Sequence, residues 1–159
     1  MLFGERDCKL SPDALPFTDP AFAKENPMRY MLLVYTREDM LAHRSQQEKQ
    51  QVMNGHLAVM QEARARGVLE SGEPLARTST ATTVRMQNGA PIITDGPFAE
   101  TKEQLAGYYI LECKDLDEAI GWAARIPTTC GGLEGCIEVR PLQVIPELQM
   151  AQSAPARNG

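Results

Sequence analysis

The chain contains few residues that could build a metal centre. It has two histidines and four cysteines, and no two of the cysteines stand in a C-x-x-C pair. Zinc sites usually need such spacing, so we predict no metal site. A glycine-rich phosphate loop of the Walker type is missing as well, and we expect neither a nucleotide nor another organic cofactor.

Long apolar runs and an excess of positive charge are also missing. No stretch approaches the roughly 18–20 apolar residues that cross a bilayer. The net charge of -5 disfavours binding to the phosphates of a nucleic acid. The opening segment MLFGERDCKL is polar where a secretory signal would be apolar. We therefore expect a cytoplasmic protein with free thiols, and neither a membrane nor a nucleic acid as partner.

What is present suits one domain of ordinary size: 159 residues, of which 43% are hydrophobic. Four prolines interrupt residues 1–27, which we interpret as a loosely ordered N-terminal extension. The domain itself is predicted over 28–146. The small and polar residues of 147–159 are typical of a flexible tail.

Boundary signals predict two helices. Ser45 and Glu48 form a capping box, and Gly67 suits the position just past a helix end, so the first helix is expected over about 46–66. The second should begin after Asp115 and stop at Ile126, before a proline.

Strand signals surround these helices. An Asn-Gly pair between two β-rich runs predicts a tight hairpin at 88–89. Further strands are predicted at the segments YMLLVY, VLESGEPL, AGYYILEC and CIEVRPL.

This order predicts an α+β, ferredoxin-like sandwich: a mostly antiparallel sheet, an extra hairpin, and both helices on one face. The other face would keep apolar side chains, and a second copy of the chain is the simplest cover for them. We therefore predict a homodimer whose two sheets face each other and close a pocket. The residues assigned to this uncovered face are Leu33, Val84, Ile92, Tyr108, Ile110, Ile137 and Val139.

Five segments between Met28 and about Ile145 form a recognisable series: MRYMLLVY, ATTVR, TDGPFAETKEQLAGYYILE, DLDEAIGWAARIP and IEVRPL. Together they resemble the YCII-related family, in the branch named for its DGPF motif. The resemblance implies a dimeric α/β-barrel of ferredoxin-like halves. Members of this branch often stand beside genes for extracytoplasmic-function sigma factors, and their biochemical role is generally unassigned.

Better-studied relatives in the wider family are associated with a His–Asp pair in a small pocket, and one is linked to dehalogenation of an aromatic. Two features depart from the pattern of the family. The stretch TTCGGLEGCIEV is rich in glycine before the last strand, and His56 stands where an aromatic or variable residue is expected.

Asp95 and His56 are the candidate catalytic residues. Asp95 can cap its own turn by accepting backbone N–H groups, or it can act as a general base, alone or paired with His56 or His43. His56 lies on the apolar stripe of the first helix, where a histidine is most often packed and hydrogen-bonded. Phe98 is predicted to fill the core.

Four residues are candidates for ligand binding: Tyr35, Lys102, Tyr109 and Arg140. Lys102 is either a solvated charge or an anion site at a pocket rim. Strand alternation sends Tyr109 to the face opposite Tyr108. Glu138 and Arg140 either pair with each other's neighbours across the sheet or point into a polar cavity.

Two functions follow from these expectations. The first is a small-molecule pocket protein, which as an enzyme would use proton transfer or hydrolysis without a cofactor in a dimer-interface pocket. The second is a non-catalytic sensor or accessory protein in a sigma-factor-linked pathway. The sequence does not name the ligand.

Overall fold

The computed structural model describes residues 27–128 and 135–146. Residues 1–26 of the predicted N-terminal extension, the predicted tail and residues 129–134 of the glycine-rich stretch lie outside the described residues. Within these residues nine helices and strands are defined, apart from a short 3₁₀ turn at Thr78–Thr80. In chain order they are β1 (Met28–Thr36), α1 (Glu38–Ala42), α2 (Gln46–Ala65), β2 (Leu69–Pro74), β3 (Thr82–Gln87), β4 (Ala90–Asp95), β5 (Gln104–Cys113), α3 (Leu116–Ala123), β6 (Gly135–Pro141); the tenth defined element is that 3₁₀ turn.

Four strands form one sheet in the order β2-β5-β1-β6, and every neighbouring pair is antiparallel. The chain passes through α2 between β1 and β2, and through α3 between β5 and β6. Each crossover therefore joins two strands that have a third strand between them. This is the order expected of a ferredoxin-like α+β fold, as predicted.

The predicted capping box opens α2. The Ser45 hydroxyl accepts the backbone N–H of Glu48 at 3.3 Å, and the Glu48 carboxylate accepts the backbone N–H of Ser45 at 2.8 Å. The helix ends at Ala65, and Gly67 follows with a φ of 70°. Only glycine adopts that left-handed backbone without steric cost, so both predicted boundaries are confirmed within one residue.

The helix α3 starts as predicted but ends early. The Asp115 carboxylate accepts the backbone N–H of Glu118 at 2.9 Å. The helix stops at Ala123, three residues before the predicted end, because the N–H groups of Arg125 and Ile126 bond to carbonyls three residues back instead of four. The chain tightens in this last turn before it reaches the proline.

Both α2 and α3 pack on one face of the sheet, which we call the helix face. Alternate residues of β1 and β5 point to it, and the helices contribute small side chains that allow close approach. The buried core consists of Tyr30, Leu32, Val34, Val59, Ala63, Tyr109, Leu111, Cys113, Ala119, Trp122, Ala123 and Ile126.

Trp122 fills the gap between the two helices. It is 3% exposed, and the guanidinium groups of Arg66 and Arg125 lie 5.4 and 4.9 Å from its ring centre. Glu62 on α2 pairs with both arginines. This arrangement joins the end of α2 to α3 through cation–π contacts and ion pairs.

The opposite side of the sheet, which we call the open face, is covered by neither α2 nor α3. Its centre is apolar and half-buried, with Met31, Leu33 and Tyr35 from β1 next to Tyr108 and Ile110 from β5.

Four residues predicted for the open face lie elsewhere. Ile137 and Val139 pair with residues of β1 that point to the helices, and they pack against the core. Val84 and Ile92 belong to the separate hairpin. Alternation along β6 shows which of its side chains share a face of the sheet. Only the register of β6 against β1 shows which of the two faces the helices cover.

The hairpin of β3 and β4 is a two-stranded sheet of its own. Asn88 and Gly89 form its turn with φ values of 51° and 79°, as the sequence predicts. Its side chains are largely exposed. Phe98 follows the hairpin and is 80% exposed, so the prediction that it fills the core is wrong for this chain.

Candidate functional site

The predicted site residues fall into three separate places. Tyr35 and Lys102 line a depression on the open face, with Arg140 beside it. His56 and Tyr109 meet on the helix face. Asp95 lies on the hairpin.

The depression on the open face has a volume of about 660 Å³. It lies where β1 and β6 run side by side, and the segment that leads into β5 forms its rim. Its lining mixes a phenol, a thiol and charges of both signs: Tyr35, Arg37, Thr101, Lys102, Glu103, Cys136 and Glu138.

Tyr35, Glu138 and Arg140 form a polar chain along this face. Arg140 Nε lies 3.5 Å from a carboxylate oxygen of Glu138. Burial raises the pKa of Tyr35, and the charge of Glu138 and a hydrogen bond to its carboxylate raise it further. The Tyr35 hydroxyl is therefore protonated at neutral pH.

Cys136 lies opposite Tyr35 in the sheet and is a free, exposed thiol. Its pKa is raised by burial first, and then by the charges of Glu103 and Glu138. A raised pKa keeps the sulfur protonated, which is the inactive form for nucleophilic attack.

Two cations belong to the lining of the depression. Lys102 is exposed. Arg37 donates to the Asp39 carboxylate at 2.6 and 3.2 Å. The depression thus offers donors for an anionic group close to the Glu138 carboxylate.

His56 and Tyr109 form a close pair on the helix face. His56 Nδ1 lies 2.6 Å from the Tyr109 hydroxyl oxygen, and the two rings are nearly parallel, at 13°. Burial lowers the pKa of His56, against a smaller opposing effect from the backbone of Pro127. Burial raises the pKa of Tyr109 to about 12. Both side chains are therefore neutral at pH 7.

Asp95 has neither of its predicted neighbours. Within residues 27–128 and 135–146, His56 bonds to Tyr109 and not to Asp95, and Asp95 lines neither the depression nor the pocket beside His56. The corner after Asp95 is held by Gly96, whose N–H bonds to Ala81 and whose carbonyl accepts the Thr83 hydroxyl. The predicted His–Asp pair is not formed within this chain.

Glu138 is the residue that the sequence left open. It lines the depression, as the polar-cavity expectation has it, and its ion pair is with Arg140 of the same strand and not with a neighbour across the sheet. Its alternation with Ile137 and Val139 gave the only signal, and that signal could not show which side of β6 faces the cavity. The hydrogen bond between His56 and Tyr109 could not be predicted, because no local sequence pattern links the two positions.

Metal-binding clusters and membrane-spanning helices are both absent from the described residues. No group of three histidine, cysteine or carboxylate side chains there could hold a metal ion. No helix in that part of the chain is long and apolar enough to span a membrane. Cys113 and Cys136 are free thiols, and the other two cysteines lie outside the described residues.

Comparison with known proteins gives two results. The family model described as the YCII-related domain matches residues 28–145. An uncharacterized protein from Rhizobium meliloti (strain 1021) is 39% identical over 115 residues, which cover 72% of this chain and 92% of that protein. Together with the sheet order described above, these matches place the chain in the YCII-related domain family.

Proposed function

We propose that this protein binds a small polar molecule in the depression on the open face, as a homodimer of the DGPF branch, and that it transfers a proton or hydrolyses a bond there without a cofactor. One observation carries the proposal. A cavity of about 660 Å³ with a tyrosine, two carboxylates and two cations in its lining opens on the sheet face that neither α2 nor α3 covers.

A second copy of the chain is the cover that this face needs. Its centre is apolar, and its margins carry charges, as the surfaces that pack in dimers do. Two sheets that meet across this face would form a barrel and would turn an open depression into an enclosed one. Enclosure excludes water and strengthens the electrostatic interactions inside.

The chemistry centres on Glu138. A carboxylate that lines a cavity together with a tyrosine hydroxyl is suited to take a proton from a bound molecule. Arg140 orients the carboxylate, and Lys102 binds an anionic group of the ligand. Glu138 replaces Asp95 as the base in this proposal, because Asp95 lies on the hairpin and lines no part of the depression.

The test is a thermal-shift screen with a panel of small polar acids and esters, followed by turnover assays on each hit. Glu138→Gln should keep the thermal shift and lose at least about 100-fold in turnover, the usual contribution of a general base. Glu112→Gln is the matched control, since Glu112 is an exposed carboxylate of β5 that does not line the depression. Full turnover by Glu138→Gln would overturn the catalytic role.

A non-catalytic sensor, linked to a sigma-factor pathway, is the second candidate. One observation favours it: the pKa values of Tyr35 and Cys136 are both raised, so neither side chain is an activated nucleophile. In the same screen, a ligand that binds without turnover in every assay, and whose binding is lost in Lys102→Met, would favour this function over the enzyme.

The dimer has its own test. Leu33 lies at the centre of the open face, so Leu33→Arg should convert a dimer to a monomer in light scattering at micromolar concentration. Arg85→Glu on the exposed hairpin is a control that should leave the mass unchanged. A wild-type protein that is already monomeric contradicts the dimer, while binding in the depression can still be measured.

A further inference from the structure

A second pocket lies on the helix face, between α2 and the edge formed by β2 and β5. Its volume is about 220 Å³. No residue in its lining also lines the depression on the open face, and the two cavities lie on opposite sides of the sheet. Whatever binds here is independent of the proposed function.

The pocket exists because its floor has almost no side chains. Gly72, Ala106 and Gly107 lie where larger residues would fill the space under the helix. The two strands also approach closely at this point. A Cβ on Gly107 would lie 2.9 Å from the carbonyl oxygen of Glu73, a distance that real contacts essentially never show.

Apolar side chains of α2 form the opposite wall. Val52, Met53, Leu57 and Met60 face the floor at helical spacing. Met53 and Leu57 are 50% and 45% exposed. They lie at the rim, so a molecule can enter between them without a change in the fold.

One polar pair stands in this apolar lining. His56 Nδ1 lies 2.6 Å from the Tyr109 hydroxyl oxygen, and either the hydroxyl or the ring N–H donates in this bond. In both cases a lone pair of the Tyr109 oxygen stays free to accept a hydrogen bond from a ligand.

We propose that this pocket is a second binding site, for a neutral and mainly apolar molecule that donates one hydrogen bond to the Tyr109 oxygen. An apolar cavity of about 150 Å³ is enough to bind benzene. A volume of about 220 Å³ therefore admits one ring or two fused rings. Glu73, the charged residue of the lining, disfavours anions.

Three probes of nearly equal shape test the site. Indole is neutral and has one N–H donor, benzofuran has the same shape without the donor, and indole-3-carboxylate adds a negative charge. Each is titrated into isotope-labelled full-length protein, and the amide signals are followed by NMR. Indole should shift the amides of Gly72 and Gly107, and it should bind at least about tenfold more tightly than either other probe.

Tyr109→Phe should abolish the preference for indole over benzofuran and leave the affinity for benzofuran within about twofold. Tyr35→Phe, on the open face, should keep the full preference. Leu57→Trp fills the rim at an exposed position that tolerates a larger side chain, and it should weaken indole at least about tenfold even if Tyr109→Phe fails to fold.

Three results would overturn the proposal. The first is indole without a measurable effect at millimolar concentration. The second is equal affinity for indole and benzofuran in the wild-type protein. The third is indole affinity that Leu57→Trp leaves unchanged, which would place the binding elsewhere.

Discussion

The strand β1 presents similar side chains to the two sides of the sheet, yet their surroundings differ. Tyr30, Leu32 and Val34 point to the helices and are buried, whereas Leu33 and Tyr35 point to the open face and are half-buried. Apolar character alone therefore does not show which side the chain covers with its own helices. The difference separates residues that stabilise one chain from residues that are available to a partner or a ligand.

The largest expected effect contrasts two adjacent leucines. Leu32 is 0% exposed, so Leu32→Ala should lower the free energy of unfolding by about 2–5 kcal/mol. Leu33→Ala removes the same atoms from the open face and should cost about 1 kcal/mol or less in dilute protein. Urea denaturation measures both. Equal losses at low concentration would show that the two faces do not differ.

The protein concentration should affect the two leucine variants differently. If a second copy covers the open face, the cost of Leu33→Ala should grow as the protein concentration rises, because a partner stabilises the folded state by mass action. The cost of Leu32→Ala should stay constant.

The sequence predicts contacts between neighbouring residues better than contacts between residues far apart in the chain. The capping box of Ser45 and Glu48 and the turn at Asn88 involve neighbouring residues, and both are confirmed. The placement of Ile137 was wrong because it depends on a strand about 100 residues earlier in the chain. Phe98 was placed wrongly for a related reason: local apolarity does not show whether anything packs over it.

The second prediction compares two tyrosines. Tyr109→Phe removes the hydrogen-bond partner of a half-buried His56 and should cost about 1–2 kcal/mol of stability. Tyr35→Phe leaves Glu138 with Arg140 and with solvent, so it should cost about 0.5 kcal/mol or less. The measurement is again urea denaturation, at pH 7.5. A larger loss of stability for Tyr35→Phe than for Tyr109→Phe would contradict this ranking of the two tyrosines.

The third prediction concerns pH. Burial lowers the pKa of His56 in the folded protein, so the unfolded chain binds a proton more readily. The contribution of His56 is therefore complete above its unfolded pKa of about 6.5, and is lost as pH falls from there toward the folded value. Urea midpoints at pH 7.5 and 5.5 should show this loss.

His56→Gln should flatten the pH dependence in that window, and His43→Gln, at an exposed position, should preserve it. The carboxylates of Asp39, Glu48 and Glu62 have lowered pKa values and act at more acidic pH, so they do not obscure the effect. A wild-type slope that persists in His56→Gln would contradict the assignment.

The smallest effect on stability is expected for a substitution of Lys102. Lys102→Met should leave the melting temperature nearly unchanged, because the side chain is an exposed surface charge. It should weaken the binding of an anionic ligand in the depression and leave indole binding on the helix face unaffected. Calorimetry with both ligands checks the contrast.

The candidate sites were harder to predict than the fold. Tyr35 and Lys102 were chosen by residue type, and the structure brings both to one depression. His56 and Tyr109 were also chosen, but no sequence signal joined them, since 53 positions separate two side chains whose polar atoms lie 2.6 Å apart. Pairs of that kind depend on how α2 packs on β5, which local patterns do not encode.

Trp122 is the only tryptophan in the chain, and it lies between two arginine guanidinium groups on the helix face. Its fluorescence should therefore change when α2 and α3 separate, as water replaces the two cations around the indole ring. A ligand in the depression, across the sheet, should leave the emission spectrum as it is. The chain thus contains a native optical reporter of helix docking, and unfolding can be followed without any attached dye.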